Sequence, residues 1–172
     1  MRGILIGLAL ALVAPAASAQ TQQQHDWCYG DTATDDQTID GCTALIQSGR
    51  ETTANQAAAY QDRAYAYVNK GLNDQAIADE TQSLALNPTN AFAYNNRGRA
   101  YYNKGLYDQA IADYSQSITL KPDYARAFAN RGLAYENKSF RDAAIANFRA
   151  ALKLDPNWQT ARDGLTRLGV TP

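Results

Sequence analysis

Residues 91–124 read AFAYNNRGRAYYNKGLYDQAIADYSQSITLKPDY, and the chain repeats this pattern without a gap on both sides. The preceding block covers residues 57–90 and the following block covers residues 125–158, so the period is 34 residues. Within each block, apolar and small residues recur at helical spacing in two runs of about 14 residues. A Lys-Gly or Lys-Ser pair separates the two runs, where a helix can end on a left-handed residue. Each block is therefore predicted to form two antiparallel helices.

The end of each block is marked by a proline, at Pro88, Pro122 and Pro156. Proline cannot continue a helix and biases the residue before it away from helical geometry. A single helical hairpin cannot bury its own apolar face, whereas stacked hairpins form a continuous core. The pattern therefore predicts an all-α solenoid.

Five positions of the block carry a family resemblance. Position 4 is aromatic, position 8 is small, position 11 is tyrosine, position 20 is alanine and position 32 is proline. Position 4 holds Tyr60, Tyr94 and Phe128, and position 8 holds Ala64, Gly98 and Gly132. Position 11 holds Tyr67, Tyr101 and Tyr135, and position 20 holds Ala76, Ala110 and Ala144. In these features the chain resembles the tetratricopeptide repeat family. The resemblance implies a right-handed α-α superhelix of three 34-residue helix-turn-helix repeats, over residues 57–158.

The segments on either side of the repeats are expected to close the array, because terminal repeats need a polar outer face. Residues 20–56 are interpreted as an N-terminal arm and a degenerate half-repeat, whose second helix covers residues 38–46 with Asp35 or Asp36 as its N-cap. Residues 159–172 are interpreted as a capping helix and a tail, with Leu165 and Leu168 turned inward.

The two cysteines, Cys28 and Cys42, are predicted to form a disulfide, because the signal-like pattern of residues 1–19 indicates export to an oxidising compartment, where an even cysteine count indicates pairing. The alternative is a metal or redox pair. That alternative calls for a CxxC spacing or clustered histidines, and His25 is the one histidine in the chain. No metal site and no cofactor are predicted.

The N-terminus is typical of a secretory signal peptide, predicted over residues 1–19. An apolar stretch from Ile4 to Val13 precedes small residues at Ala17 and Ala19, which indicates cleavage after Ala19. The stretch is too short for a permanent span, which needs about 20 residues, so no stable membrane anchor is expected; an uncleaved anchor is the alternative. The mature protein is expected to be periplasmic or, alternatively, secreted.

Charged residues within the repeats have more than one interpretation. Arg63, Arg97 and Arg131 occupy the seventh position, where the family usually has leucine. Buried there, each would need a partner such as Asp79 or Asp113; the alternative is a solvated guanidinium on a packed stem.

One position departs from the aromatic pattern. Glu80 stands where the later repeats have Tyr114 and Phe148, which suggests that the first repeat packs differently.

Composition and motifs argue against several functional classes. The net charge is −1 and no basic stripe is present, so a nucleic-acid partner is not expected. No phosphate-binding loop, nucleophile elbow or catalytic carboxylate pair is recognisable, and the chain is predicted not to be an enzyme.

The resemblance implies a peptide-binding concave face, lined by the first helix of each repeat. The candidate binding residues are Tyr65, Asn69, Phe92, Asn95, Asn96, Arg99, Tyr102, Asn103, Arg126, Asn130 and Asn137. Side-chain amides such as those of Asn96 and Asn130 can both donate to and accept from a peptide backbone, although they could instead only hydrate the groove. The carboxylate clamp of some relatives needs lysine and asparagine at the fifth and ninth positions, a pattern from which this chain departs.

The predicted function is that of an exported scaffold or adaptor, which binds an unidentified protein or peptide through its concave face. The alternative is a structural protein that self-associates, or one that associates with envelope polysaccharide or peptidoglycan.

Overall fold

The computed structural model describes residues 14–171. Within that range the chain forms nine α-helices and no strand. Their bounds are α1 Ala14–Tyr29, α2 Asp35–Ser48, α3 Thr53–Asn69, α4 Asn73–Leu86, α5 Ala91–Asn103, α6 Tyr107–Leu120, α7 Ala125–Asn137, α8 Arg141–Leu154 and α9 Gln159–Arg167. The apolar stretch of the predicted signal peptide lies outside the described residues. Among those described, no helix is both long enough and apolar enough to cross a membrane.

The helices pack as consecutive hairpins. The pairs α1/α2, α3/α4, α5/α6 and α7/α8 each pack against one another, and each hairpin contacts the next. The first helices α1, α3, α5, α7 and α9 also touch in sequence, so they form one continuous face. The all-helical solenoid predicted from the 34-residue period is thereby confirmed, and its right-handed sense stays a prediction.

Small residues set how closely the two helices of a repeat approach. A Cβ added at Gly98 would lie 2.8 Å from Cε1 of Tyr114, and one added at Gly132 would lie 2.7 Å from Cε1 of Phe148. Both rings are almost fully buried. The aromatic ring of the second helix therefore packs directly on the backbone of the first, and the eighth position must stay small.

The capping helix α9 repeats this packing from the other side of the last ring. A Cβ added at Gly164 would lie 2.4 Å from Cε2 of Phe148, and Leu165 is fully buried. Leu168 packs at the edge of the same cluster, as predicted. The opposite side of α9 exposes Arg162, Asp163 and other polar side chains, so this end of the array is closed by a polar surface.

The N-terminal hairpin differs in detail from the prediction. Thr34, and not Asp35 or Asp36, is the N-cap of α2, in a capping box with Gln37. A threonine hydroxyl and a Gln three residues later can satisfy the exposed backbone groups reciprocally, while the two aspartates occupy the first turn. Cys28 and Cys42 are joined by a disulfide with an S–S distance of 2.06 Å, and both are buried.

Three equivalent arginines, one in each repeat, form hydrogen bonds within their own repeat and to the preceding hairpin. The Arg97 guanidinium donates to both oxygens of Asp113, at 2.8 and 2.9 Å, and Arg63 binds Asp79 in the same bidentate way. The predicted pairing is confirmed for both. The remaining nitrogen Nη1 of each arginine reaches a hydroxyl of the preceding hairpin, namely Arg63 to Thr43, Arg97 to Thr81 and Arg131 to Ser115.

Arg131 lacks a carboxylate partner in its own repeat. Its Nε donates to Oδ1 of Asn147, and burial lowers the pKa of its guanidinium. The substitution Asn147→Asp is expected to supply the bidentate partner that the first two repeats have, and to raise the free energy of unfolding by about 1 kcal/mol. Urea denaturation measures the free energy of unfolding. The control is Asp142→Asn, which changes an exposed carboxylate on the same helix. A lower stability would show that desolvating the new charge outweighs the pairing.

A second set of equivalent contacts, lysine–aspartate ion pairs, joins the turn of each repeat to the preceding hairpin. Lys70 binds Asp36, Lys104 binds Asp74 and Lys138 binds Asp108, each aspartate lying in the first turn of a second helix. These pairs are largely exposed, so each contributes little to the free energy of unfolding. Their recurrence shows that the same register is kept at all three junctions.

Candidate peptide-binding groove

The structure places the eleven predicted binding residues on the first helices α3, α5 and α7. Tyr65, Asn69, Phe92, Asn103, Arg126 and Asn137 are exposed, and Asn96, Arg99, Tyr102 and Asn130 are half-buried. These ten residues lie on three helices that contact one another in sequence, and their common orientation on one concave face stays a prediction. We call this face the groove.

Asn95 does not belong to the groove surface, which corrects its assignment as a contact residue. Its side chain is 1% exposed. Asn130 Nδ2 donates to Asn95 Oδ1 at 3.0 Å, and Asn95 Nδ2 reaches Asn96 Oδ1 at 3.5 Å. The position faces inward because it sits beneath the adjacent repeat, where its two hydrogen-bonding groups are used within the chain.

Three asparagines at the ends of the first helices also make contacts between hairpins. Asn69 Nδ2 donates to Asp35 at 3.1 Å, and Asn103 Nδ2 donates to Asn73 at 3.1 Å. Asn137 Nδ2 donates to the Tyr102 hydroxyl at 2.9 Å. These amides are positioned by the fold, which reduces the entropy they would lose on binding a ligand.

Two aromatic rings on the groove are exposed to solvent. The Tyr65 side chain is 46% exposed and Phe92 is 45% exposed. The Arg99 guanidinium lies over the Tyr65 ring, 6.0 Å from its centre, and Phe92 packs edge-on against Tyr124. Open aromatic rings beside anchored polar groups are typical of surfaces that bind other proteins.

A cavity lies at each end of the groove. The first, of about 270 Å³, lies between the α1–α2 turn and α3, and its lining includes Tyr29, Asp31, Asp35, Asp62 and Tyr65. The second, of about 310 Å³, is lined by Tyr102, Leu133, Glu136, Asn137 and Arg167. Both are large enough for a side chain of a bound peptide.

The first cavity is acidic and the second contains a closed ion pair. Burial raises the pKa of Asp62 to about 6. In the second cavity, the Arg167 guanidinium binds both oxygens of Glu136, at 2.9 and 2.8 Å. The two ends of the groove therefore present different electrostatics.

Asp62 predicts a pH dependence of stability. The pKa of Asp62 is about 6 in the folded chain, whereas the usual value for an aspartate is 3.8. The folded state therefore binds the proton more tightly than the unfolded state does. The stabilisation that the neutral acid contributes is complete below pH 3.8 and is lost as the pH rises through 6. Relative to Asp62→Asn, the native protein should lose about 1 kcal/mol across this window, measured by urea unfolding. A constant difference between the two proteins would contradict it.

Glu80 is the most unusual side chain beneath the groove. It is 0% exposed, and neither carboxylate oxygen lies at hydrogen-bonding geometry with a described residue. Burial raises its pKa well above the usual value, while the nearby Asn96 amide and Arg97 guanidinium oppose the shift. The sequence marked Glu80 as a departure from the aromatic pattern, but it gave no sign that the carboxylate would be enclosed.

No group of three or more metal-ligating side chains occurs among residues 14–171. His25 lies outside the groove, and its Nε2 is 3.2 Å from a carboxylate oxygen of Glu51.

Comparison with known proteins identifies the repeats. Models described as tetratricopeptide repeat match residues 57–90, 81–112 and 125–157, and a TPR repeat model matches residues 98–139. No curated protein matches the chain significantly.

Several solved structures have the same fold. The crystal structure of MamA is 30% identical with a TM-score of 0.70, and the match covers 83% of this chain and 81% of MamA. The second TPR domain of human RPAP3, solved with the HSP70 peptide SGPTIEEVD, is 30% identical with a TM-score of 0.65, covering 69% of this chain and 98% of that one. The Arabidopsis OM64 TPR domain is 26% identical with a TM-score of 0.67, covering 69% and 98%.

The period, the glycine–aromatic packing and these matches agree along residues 57–158, and the chain belongs to the tetratricopeptide repeat family.

Proposed function

We propose that this chain is an exported, non-enzymatic scaffold whose groove holds an extended segment of a partner protein. The observation that carries the proposal is the continuous face of α3, α5 and α7, where the exposed Tyr65 and Phe92 rings alternate with anchored amides. Rings supply contact area at low entropic cost, and amides match the donors and acceptors of a peptide backbone.

The solved relatives support a peptide ligand. The second TPR domain of human RPAP3 was solved in complex with an HSP70 peptide, and the second TPR of Spaghetti was solved with an HSP90 peptide. A similar fold can host different ligands, so the ligand of this chain must be inferred from its own groove.

Export is supported by the signal-like pattern of residues 1–19. Ala19 and Gln20, on either side of the expected cut, are both exposed. Cleavage there keeps the part of α1 that contains Cys28, and an oxidising compartment would maintain its disulfide with Cys42. The periplasm is the proposed location.

The groove is not expected to bind acidic chaperone tails. At the fifth position of the repeats it has Gln61, the buried Asn95 and Ala129, and at the ninth it has Tyr65, Arg99 and Leu133. With Asp62 beside the first cavity, the carboxylates of SGPTIEEVD would meet an acidic wall at that end and the two arginines Arg99 and Arg126 along the groove, without the lysines of the clamp pattern. Isothermal titration should show a dissociation constant above about 1 mM. Tight binding, abolished by Arg99→Glu, would contradict this.

Affinity capture tests the proposed function. Mature protein is immobilised beside a variant with Asn96→Ala, Arg99→Glu and Asn130→Ala, and envelope proteins are captured on both. The matched control carries Gln82→Ala, Gln116→Ala and Arg149→Glu, which make similar changes at exposed sites on the second helices. A partner retained by the control and lost by the groove variant would support binding in the groove.

Other outcomes favour the alternatives. Equal capture by all three proteins would move the site to another face. A molecular mass that rises with concentration in light scattering, without any captured partner, would favour self-association. Retention on immobilised peptidoglycan that the groove variant loses would favour a carbohydrate ligand.

A further inference from the structure

The cavity of about 270 Å³ at the first end of the groove belongs to no single repeat. Its walls include Tyr29 and Asp31, at and just after the end of α1, and Asp35 at the start of α2. Asp62 and Tyr65 line it from α3. The cavity therefore exists only where the N-terminal hairpin meets the first repeat, and its volume suits one long side chain of a bound segment.

Asp62 is a half-buried carboxylate without an ion-pair or hydrogen-bond partner among residues 14–171. Asp79 and Asp113, the buried aspartates of the repeats, are each held by an arginine. A carboxylate that is partly removed from water is destabilised as an ion, and burial raises the pKa of Asp62 to about 6. A cation bound in the cavity would therefore stabilise the ionised form of Asp62.

Two tyrosine rings distinguish this cavity from an ordinary cluster of exposed carboxylates. The Tyr29 hydroxyl donates to the backbone carbonyl of Asn55 at 3.0 Å, which holds this ring against α3. The Tyr65 ring is in cation–π contact with Arg99 of α5, so it attracts a guanidinium within the chain. A carboxylate beside tyrosine faces matches a planar cation, which both pairs with a charge and stacks on a ring.

The chain itself combines an arginine with a tyrosine and an aspartate at two other places. Arg97 lies over the Tyr94 ring, 5.5 Å from its centre, and binds both oxygens of Asp113. Arg63 contacts tyrosine rings and an aspartate in the same way. The cavity offers the tyrosine and aspartate parts of this arrangement, and among the described residues no lysine, arginine or histidine lines it.

We propose that this cavity is a subsite of the groove that binds the side chain of an arginine in the partner segment. The guanidinium donates to the Asp62 carboxylate and packs against the rings of Tyr29 and Tyr65, while Asp31 and Asp35 add to the attraction. Arginine is favoured over lysine because its planar guanidinium is more weakly hydrated and can bind a carboxylate through two nitrogens. The inference rests on the proposed function for the source of the arginine.

Nuclear magnetic resonance titrations of the mature protein at pH 7.5 test the subsite. The probes are blocked pentapeptides of alanine whose central residue is arginine, citrulline or lysine. The arginine peptide should bind with a dissociation constant of about 1 mM and shift the signals of Tyr29, Asp62 and Tyr65. Citrulline has the shape of arginine without its charge, so its peptide should bind at least about ten-fold more weakly. The lysine peptide should bind about three-fold more weakly than the arginine peptide.

Variants of the lining decide whether the cavity is the site. Asp62→Asn keeps the size of the side chain and removes its charge, so it should weaken binding of the arginine peptide at least about ten-fold. Tyr65→Leu should weaken binding about three-fold, and the ring is exposed, so its loss leaves the core intact. The matched control Asp142→Asn removes one charge at an exposed position of α8 and should leave the affinity unchanged.

Four results would overturn the proposal. They are equal affinity for the arginine and citrulline peptides, equal affinity of the native protein and Asp62→Asn, a lysine peptide that binds as tightly as the arginine peptide, and signal shifts confined to residues outside the cavity. The comparison of arginine with citrulline uses the native protein alone, so it decides the matter even if a variant does not fold.

Affinity capture separates this proposal from the proposed function. A partner that is captured through the groove but is held equally by Asp62→Asn would leave the groove function standing and overturn the subsite. Binding of the arginine peptide in the cavity, without any captured partner, would support the subsite and count against the scaffold function.

Discussion

Replacing Gly98 with leucine is expected to lower the free energy of unfolding by about 3 kcal/mol or more. The Cβ alone would lie 2.8 and 2.9 Å from two atoms of the Tyr114 ring, which is 1% exposed and has no room to move outward. Either α5 and α6 separate or the ring leaves its rotamer. Both responses break the packing that each hairpin depends on. Urea denaturation followed by circular dichroism measures the loss.

The matched control for this substitution is Ala112→Leu. Ala112 is exposed on α6, so a leucine there lengthens an alanine without entering the core. Its stability should stay within about 0.5 kcal/mol of the native protein. An unchanged stability for Gly98→Leu would contradict the close approach at the eighth position.

Replacing Asp113 with alanine should lower the free energy of unfolding by about 3–5 kcal/mol. The reason is that the Arg97 guanidinium would lose its carboxylate partner in a largely buried site. In the native chain the pKa of Arg97 is raised, first by its hydrogen bonds to Asp113 and also by the charge of that carboxylate. Without the carboxylate, the guanidinium keeps its bond to Thr81 Oγ1 at 3.2 Å as the interaction that remains with the preceding hairpin. Thermal unfolding measures the loss.

The double variant Arg97→Met, Asp113→Leu separates the cost of a stranded charge from the value of the pair. It removes both charges and keeps apolar volume, so most of the lost stability should return. If the double variant is as unstable as Asp113→Ala, the loss comes from packing around the aspartate rather than from the uncompensated guanidinium.

The fold was predictable because local signals agree at every level. The 34-residue period, the turns at Lys70-Gly71 and Lys104-Gly105, and the prolines all indicate the same hairpins. The arginine pairs were predictable in outline, since Arg63 and Arg97 recur with Asp79 and Asp113 at constant separation. The N-cap of α2 was not predictable from the sequence. Thr34, Asp35 and Asp36 can all act as N-caps, and the backbone geometry of the turn decides which of them does.

The groove was less predictable than the fold. Positions on a helix give the face of each side chain but not how far the next repeat overlaps it, so Asn95 was expected on the surface and is covered. The amide series and the enclosed Glu80 depend on contacts between residues on different helices. The cavity by α1 depends on the N-terminal hairpin, for which the repeat supplies no template.

The recurrence of the same contacts at each junction makes the length of the array adjustable. Lys138 meets Asp108, but Asp74 stands at the same place one repeat earlier, and Arg131 would find Thr81 where it now finds Ser115. Copying or removing residues 91–124 as one unit would rejoin chemically equivalent surfaces. In such a molecule, duplication of a DNA segment can lengthen the binding surface in steps of one hairpin while every new boundary is already compatible with its neighbours.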